Sequence, residues 1–169
     1  MRIGSEIFTI GRNGTGLRRI GRGARGELPS WSGTGRIAVG GFEPPPIGGI
    51  RTFRARDGAN LRSLTGGGAY DPDWSPGAKR IAYVRCIDCG RTNRLEIWTM
   101  RADGTGKRRL TRGVDPAWSP DAHLIAFTRE GRLYTIPSAG GPARRIRYAP
   151  PGFTGRRTTL HMPAWQPQP

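Results

Sequence analysis

Cys86 and Cys89, the two cysteines of this 169-residue chain, stand three residues apart in Cys86-Ile87-Asp88-Cys89, and that spacing opens three kinds of chemistry. Thiol–disulfide catalysis needs a thiolate favoured by a helix N-terminus, whereas this pair sits in what reads as a strand-to-strand loop. A structural zinc site needs four ligands at recognisable spacing, and His123 and His161 stand at no such spacing from the pair. A local disulfide that pins the loop is the reading adopted, and it fits an oxidising, extracytoplasmic location. Free thiols are the other reading.

Other chemistry finds few residues to use. The chain has no Gly-x-Ser-x-Gly elbow, no His-Glu-x-x-His and no Gly-x-x-x-x-Gly-Lys loop. His123 and His161 read as structural or exposed, so the expectation is no catalytic residue, no cofactor and no metal site. Charge is the remaining feature: 28 Lys and Arg against 12 Asp and Glu give +16, and Lys79 and Lys107 are the only lysines. A surface for polyanions such as nucleic acid is one reading. Compositional bias is the preferred one, because the aromatic-plus-basic patterning of nucleic-acid modules is missing. No run approaches the ~18 apolar residues of a membrane helix, and Met1-Arg2-Ile3-Gly4-Ser5-Glu6 shows no apolar signal-peptide core.

The elements that position these residues recur. Four tryptophans stand in one phrase: Pro29-Ser30-Trp31-Ser32, Pro72-Asp73-Trp74-Ser75, Pro116-Ala117-Trp118-Ser119 and Pro163-Ala164-Trp165-Gln166, spaced 43, 44 and 47 residues apart. That period suits one four-stranded propeller blade. After the first three tryptophans comes an apolar strand: Ile37-Ala38-Val39, Ile81-Ala82-Tyr83-Val84 and Ile125-Ala126-Phe127. A third strand follows as Ile50-Arg51-Thr52-Phe53, Glu96-Ile97-Trp98-Thr99-Met100 and Arg132-Leu133-Tyr134-Thr135-Ile136, with Glu6-Ile7-Phe8-Thr9-Ile10 of the same class. Each runs into Asn13-Gly14, Asp57-Gly58, Asp103-Gly104 or Gly140-Gly141, where positive φ is expected. An arginine-rich strand closes each unit: Leu17-Arg18-Arg19-Ile20, Leu61-Arg62-Ser63-Leu64, Lys107-Arg108-Arg109-Leu110 and Ala143-Arg144-Arg145-Ile146. Charge on such an edge blocks edge-to-edge pairing, and one tryptophan per repeat is expected to pack between neighbouring sheets.

These motifs resemble the TolB-like, WD40-like branch of β-propellers, with residues 71–111 the nearest match to the repeat. The Trp-Ser-Pro-Asp-Gly turn of that repeat is nowhere intact. It stands here as Ser32-Gly33-Thr34-Gly35, Ser75-Pro76-Gly77-Ala78 and Ser119-Pro120-Asp121-Ala122. The fold class expected is all-β, a single propeller unit over residues 1–169. Its parts are complete blades at 29–65, 72–111 and 116–147, two strands of another at 6–20, and one strand at 161–166. Closed propellers have about four to eight blades. The preferred reading is therefore a C-terminal fragment of a propeller, beside an open array that self-associates to complete the ring and a small closed ring.

In a four-stranded meander the first and third turns share one face. The longer connections gather on the other, and variable loops on a rigid scaffold are where binding usually sits. The candidate binding residues there are Phe42, Glu43, Asp88, Arg91, Asn93, Arg94, Phe153, Arg156 and Arg157. The expected function is a non-enzymatic scaffold for an unknown protein or small ligand, extracytoplasmic by resemblance. Two alternatives stand beside it: polyanion binding through the arginine rim, and the propeller remnant of a prolyl oligopeptidase-type hydrolase.

Overall fold

The structure, a computed structural model, describes residues 5–21, 25–41, 48–92, 94–147 and 162–165. Fourteen strands and no helix are found among them. A hairpin, β1 (Phe8–Thr9) with β2 (Arg18–Arg19), precedes three antiparallel four-stranded meanders. The first sheet is β3 (Glu27–Trp31), β4 (Arg36–Gly40), β5 (Arg51–Arg54) and β6 (Arg62–Ser63). The second is β7 (Ala69–Trp74), β8 (Arg80–Ile87), β9 (Arg94–Arg101) and β10 (Arg108–Arg112). The third is β11 (Val114–Trp118), β12 (Leu124–Arg129), β13 (Arg132–Pro137) and β14 (Arg144–Arg145). Each sheet is ordered as it is in sequence. These are β-propeller blades.

Strand periodicity of two explains how the blades stack. In β4, Ile37 and Val39 face back toward the hairpin, where they bury against Ile7 and Ile20. Ala38, between them, faces forward and shares a core with Trp74, Ile81 and Tyr83 of the second sheet. The pattern repeats one blade on, where Ala82 and Val84 share a core with Trp118, Ile125 and Phe127. Ala38 and Ala82 are thus small where the next blade's tryptophan, Trp74 or Trp118, arrives. Burying one large apolar side chain is worth about 1.5–3 kcal/mol, and each junction repeats that gain.

The serine after each tryptophan has its own work. Ser32, Ser75 and Ser119 are buried, and their hydroxyls accept the backbone N–H of Arg36, Arg80 and Leu124 at 3.0, 3.1 and 2.9 Å. They close the first turn of each blade. In the third turn, positive φ falls on Gly14, Gly58 and Gly104 and again two residues on at Gly16, Asn60 and Gly106, while Asn13, Asp57 and Asp103 remain at negative φ. Those three side chains instead accept the N–H two residues on, from Thr15, Ala59 and Thr105. The Asx side chain, rather than its backbone, is what the turn uses.

Two expectations need correction. Trp74 and Trp118 are buried, but Trp31 is 58% exposed. The hairpin before it offers two short outer strands and, among the described residues, no inner strand to cover the ring. Residues 162–165 adopt no strand, although the Trp165 indole N–H reaches the Ala117 carbonyl at 2.9 Å. His161 lies outside the described residues, and His123 is exposed in the turn before β12.

Ala78 (φ 53°) and Ala122 (φ 62°) occupy the left-handed position that Gly35 (φ 74°) fills in the first blade. A Cβ there costs about 1–2 kcal/mol, partly offset by the extra freedom glycine brings to the unfolded chain. A78G and A122G should each stabilise the fold by about 0.5–1 kcal/mol, raising Tm by about 1–4 °C. Calorimetry checks this, and an unchanged or lower Tm in both variants contradicts it.

Candidate functional site

The prolines before the tryptophans shape the innermost strands. The residue preceding each proline is kept out of the right-handed helical region. Leu28, Asp71, Asp115 and Met162 all take positive φ, between 49° and 54°. Register shifts at the same place in β3, β7 and β11 mark a bulge in each strand. A cleft of about 370 Å³ opens between these strands, lined by the prolines together with Asp71, Asp73, Asp115 and Met162.

The cleft is stitched by side chains that accept backbone N–H groups from the next blade. Ser30 Oγ accepts from Trp74 N at 3.0 Å and donates to Asp73 Oδ1 at 3.1 Å. Asp73 Oδ2 accepts from Trp118 N at 2.8 Å. Two residues earlier in the repeat, Asp71 accepts from the backbone of Asp115, and Asp115 Oδ2 accepts from Met162 N at 3.3 Å and Thr128 Oγ1 at 2.7 Å. Burial, then Asp115 and Asp73, push the Asp71 carboxyl up to about 7. Burial raises Asp73 as well, against the N–H of Trp118 and the hydroxyl of Ser30. Among the described residues no group of three His, Cys, Asp or Glu is arranged to hold a metal ion. Sequence reading passed over this trio, since Pro-Asp-Trp is equally part of the repeat phrase.

On the long-loop side, a cleft of about 680 Å³ lies between the second and third sheets. Thr92 of the β8–β9 connection, Arg94 at the start of β9, Arg112 at the end of β10, Gly113 before β11, and Glu130 and Gly131 between β12 and β13 meet there, with Arg129. Arg129 is fixed: its guanidinium lies 5.0 Å from the Tyr134 ring centroid and donates to the Arg112 carbonyl. Arg94 pairs with buried Glu96, which Arg109 also holds at 2.9 Å. Of the candidate residues, Asp88, Arg91 and Arg94 are exposed on this connection, and Asp88 accepts from the Thr92 hydroxyl. Phe42, Glu43, Asn93, Phe153, Arg156 and Arg157 lie outside the described residues. Cys86 and Cys89 are joined as a disulfide at the start of the connection, with Cα atoms 5.7 Å apart. The edge strands β2, β6, β10 and β14 carry exposed arginines around the rim. No described helix is long and apolar enough to cross a membrane.

The class defined by these sheets is a β-propeller, and comparison with known proteins narrows it. TolB from Acinetobacter baumannii superposes with a TM-score of 0.68 at 20% identity, over 85% of this chain and 37% of that one. A putative TolB from Agrobacterium tumefaciens gives 0.64 at 20% identity, over 83% and 55%. The fold is that of TolB-like propellers. In sequence, the chain is 32% identical over 111 residues to the uncharacterized peptidase YuxL of Bacillus subtilis (strain 168), covering 57% of this chain and 15% of YuxL. It is 32% identical over 118 residues to the Tol-Pal system protein TolB of Gluconobacter oxydans (strain 621H), covering 61% and 23%. The chain thus matches less than a quarter of the length of either relative. No family model matches.

Asp71 yields a pH prediction. Its folded pKa, about 7, exceeds the ordinary 3.8, so between those values the folded state keeps a proton the unfolded chain has released. The stability it contributes is complete below ~3.8 and is lost as pH rises through ~7. D71N keeps the acceptor and tolerates positive φ but cannot ionise. Melting curves from pH 5 to 8 should fall for the unmodified chain. D71N should flatten that fall and gain on the order of 1–2 kcal/mol at pH 8. An unaltered slope in D71N contradicts the assignment.

Proposed function

We propose that this chain is a non-enzymatic binding scaffold that engages a protein partner through the long-loop side of its blades. The observation that carries the reading is the 680 Å³ cleft between the second and third sheets, where the strand ends at Arg94, Arg112 and Arg129 meet beside half-buried Leu95 and Val114. Clefts with a few fixed polar groups over an apolar floor are the usual form of a recognition site. Arg129, stacked on an aromatic ring, loses little freedom on binding. Three arginines against Glu130 favour a partner segment that carries acidic side chains. An extracytoplasmic location fits the Cys86–Cys89 disulfide and the likeness to TolB.

A second reading has one observation behind it, the match to the peptidase YuxL: the blades would be the propeller part of a hydrolase whose chemistry lies elsewhere. The rim arginines leave a third, polyanion binding, which would show as a steep fall of affinity with log salt.

Peptide display against the intact chain tests the scaffold reading. Selected peptides should be rich in Asp or Glu and lose about tenfold or more in affinity, 1.4 kcal/mol, for R94A/R112A. R18A/R19A on the rim should leave them unchanged. Peptides that depend on the rim, or duplex DNA that binds with a steep salt slope while no peptide is selected, overturn it.

A further inference from the structure

A third pocket, of about 230 Å³, lies between the first and second sheets. Its apolar floor is Leu64 and Ala69, and its polar lining includes Ser63, Tyr83, Arg85 and Lys107. Among the described residues no acidic side chain lines it. Tyr83 is fully buried, and among the described residues its hydroxyl has no hydrogen-bond partner. Leaving a buried donor unsatisfied costs about 1–3 kcal/mol, and an acceptor placed in the pocket would remove that cost. The Arg85 guanidinium lies over the Trp98 ring at 5.2 Å, and among the described residues no hydrogen bond or ion pair engages it. Lys107 Nζ is held by the Gly104 carbonyl at 2.5 Å and keeps further donors, for an ammonium has three. Thr65, by contrast, is committed: its hydroxyl accepts from Ile50 N and donates to the Gly66 carbonyl.

We propose that this pocket binds a carboxylate, with the Arg85 guanidinium and the Lys107 ammonium neutralising the charge and the Tyr83 hydroxyl donating to one oxygen. A carboxylate suits the pocket better than a phosphate, because the methylenes that carry it can lie on Leu64 and Ala69, whereas a hydrated phosphate gains nothing there. Tyr83 remains a donor throughout the physiological range, since burial pushes its pKa up to about 12. The carboxylate comes either from a free small acid or from a Glu or Asp side chain of a peptide. The site is separate from the larger cleft, and its occupancy does not depend on the scaffold reading.

Succinate, a glutamate flanked by glycines in a capped tripeptide, and inorganic phosphate serve as probes on the intact chain, read by calorimetric titration and by ligand-induced shift in Tm. Succinate and the peptide should both bind, and the tighter of the two identifies the source. Y83F should lower affinity for both about five- to tenfold, and R85Q by more than tenfold. Without ligand, Y83F should melt at or above the unmodified chain, because the unsatisfied hydroxyl is gone. R112A, in the other cleft, should bind succinate normally. Succinate binding unaffected by Y83F, a Tm shift no greater than sodium chloride gives at equal ionic strength, or phosphate binding more tightly than succinate overturns the proposal.

Discussion

Asp73 holds three blades at once. One carboxylate oxygen meets the Ser30 hydroxyl of the first sheet and the other accepts the Trp118 N–H of the third, while the residue itself lies in β7 of the second. This matters because the inner edge of each blade is a row of backbone groups with no strand beside it. An open edge exposes unpaired N–H groups, and burying them unpaired costs more than most packing gains at one site. Ser30 and Asp73, one residue before a tryptophan, and Asp71 and Asp115, three before, supply the acceptors. Seating the Trp74 and Trp118 N–H groups also fixes where each tryptophan ring enters the preceding blade, above Ala38 and Ala82. Hydrogen bonding on the inner side and apolar packing between faces therefore share the same residues.

The same arrangement explains what the clefts look like. Carboxylates gather at the inner strands because the bonding scheme needs acceptors there, and burial together with their mutual proximity raises Asp71. The positive charge lies outside: on the edge strands β2, β6, β10 and β14, and in the two interblade pockets. In both pockets an arginine five residues into the second strand, Arg85 or Arg129, stacks on an aromatic of the third strand, Trp98 or Tyr134. A repeat fold multiplies such a feature without requiring a new design at each copy.

Much of this was legible in the residues. The tryptophan phrase, the Ile-Ala-aromatic strand and the arginine edge each recur in register, so the strand order and the blade architecture follow from spacing. The exposure of Trp31 was not legible, because it depends on which strands precede it rather than on its own phrase. Nor was the role of Asp73: an aspartate between proline and tryptophan has the same local pattern as Ser30 or Ala117, and only the approach of the next blade shows what it accepts. The Tyr83 hydroxyl was hidden for a related reason. In sequence Tyr83 is one more apolar strand residue, and its unsatisfied donor exists only once Leu64 and Arg85 are packed around it.

The central claim is that acceptors on the innermost strands lock one blade to the next. Hydrogen exchange of the Trp118 backbone amide tests it most directly, because that N–H has no partner strand and bonds only across the blade boundary. Exchange should be as slow as that of Val84 in the middle of β8, and about a hundredfold or more faster in D73A. Exchange of Trp118 in the unmodified chain at the rate of turn amides such as Gly104 would contradict it.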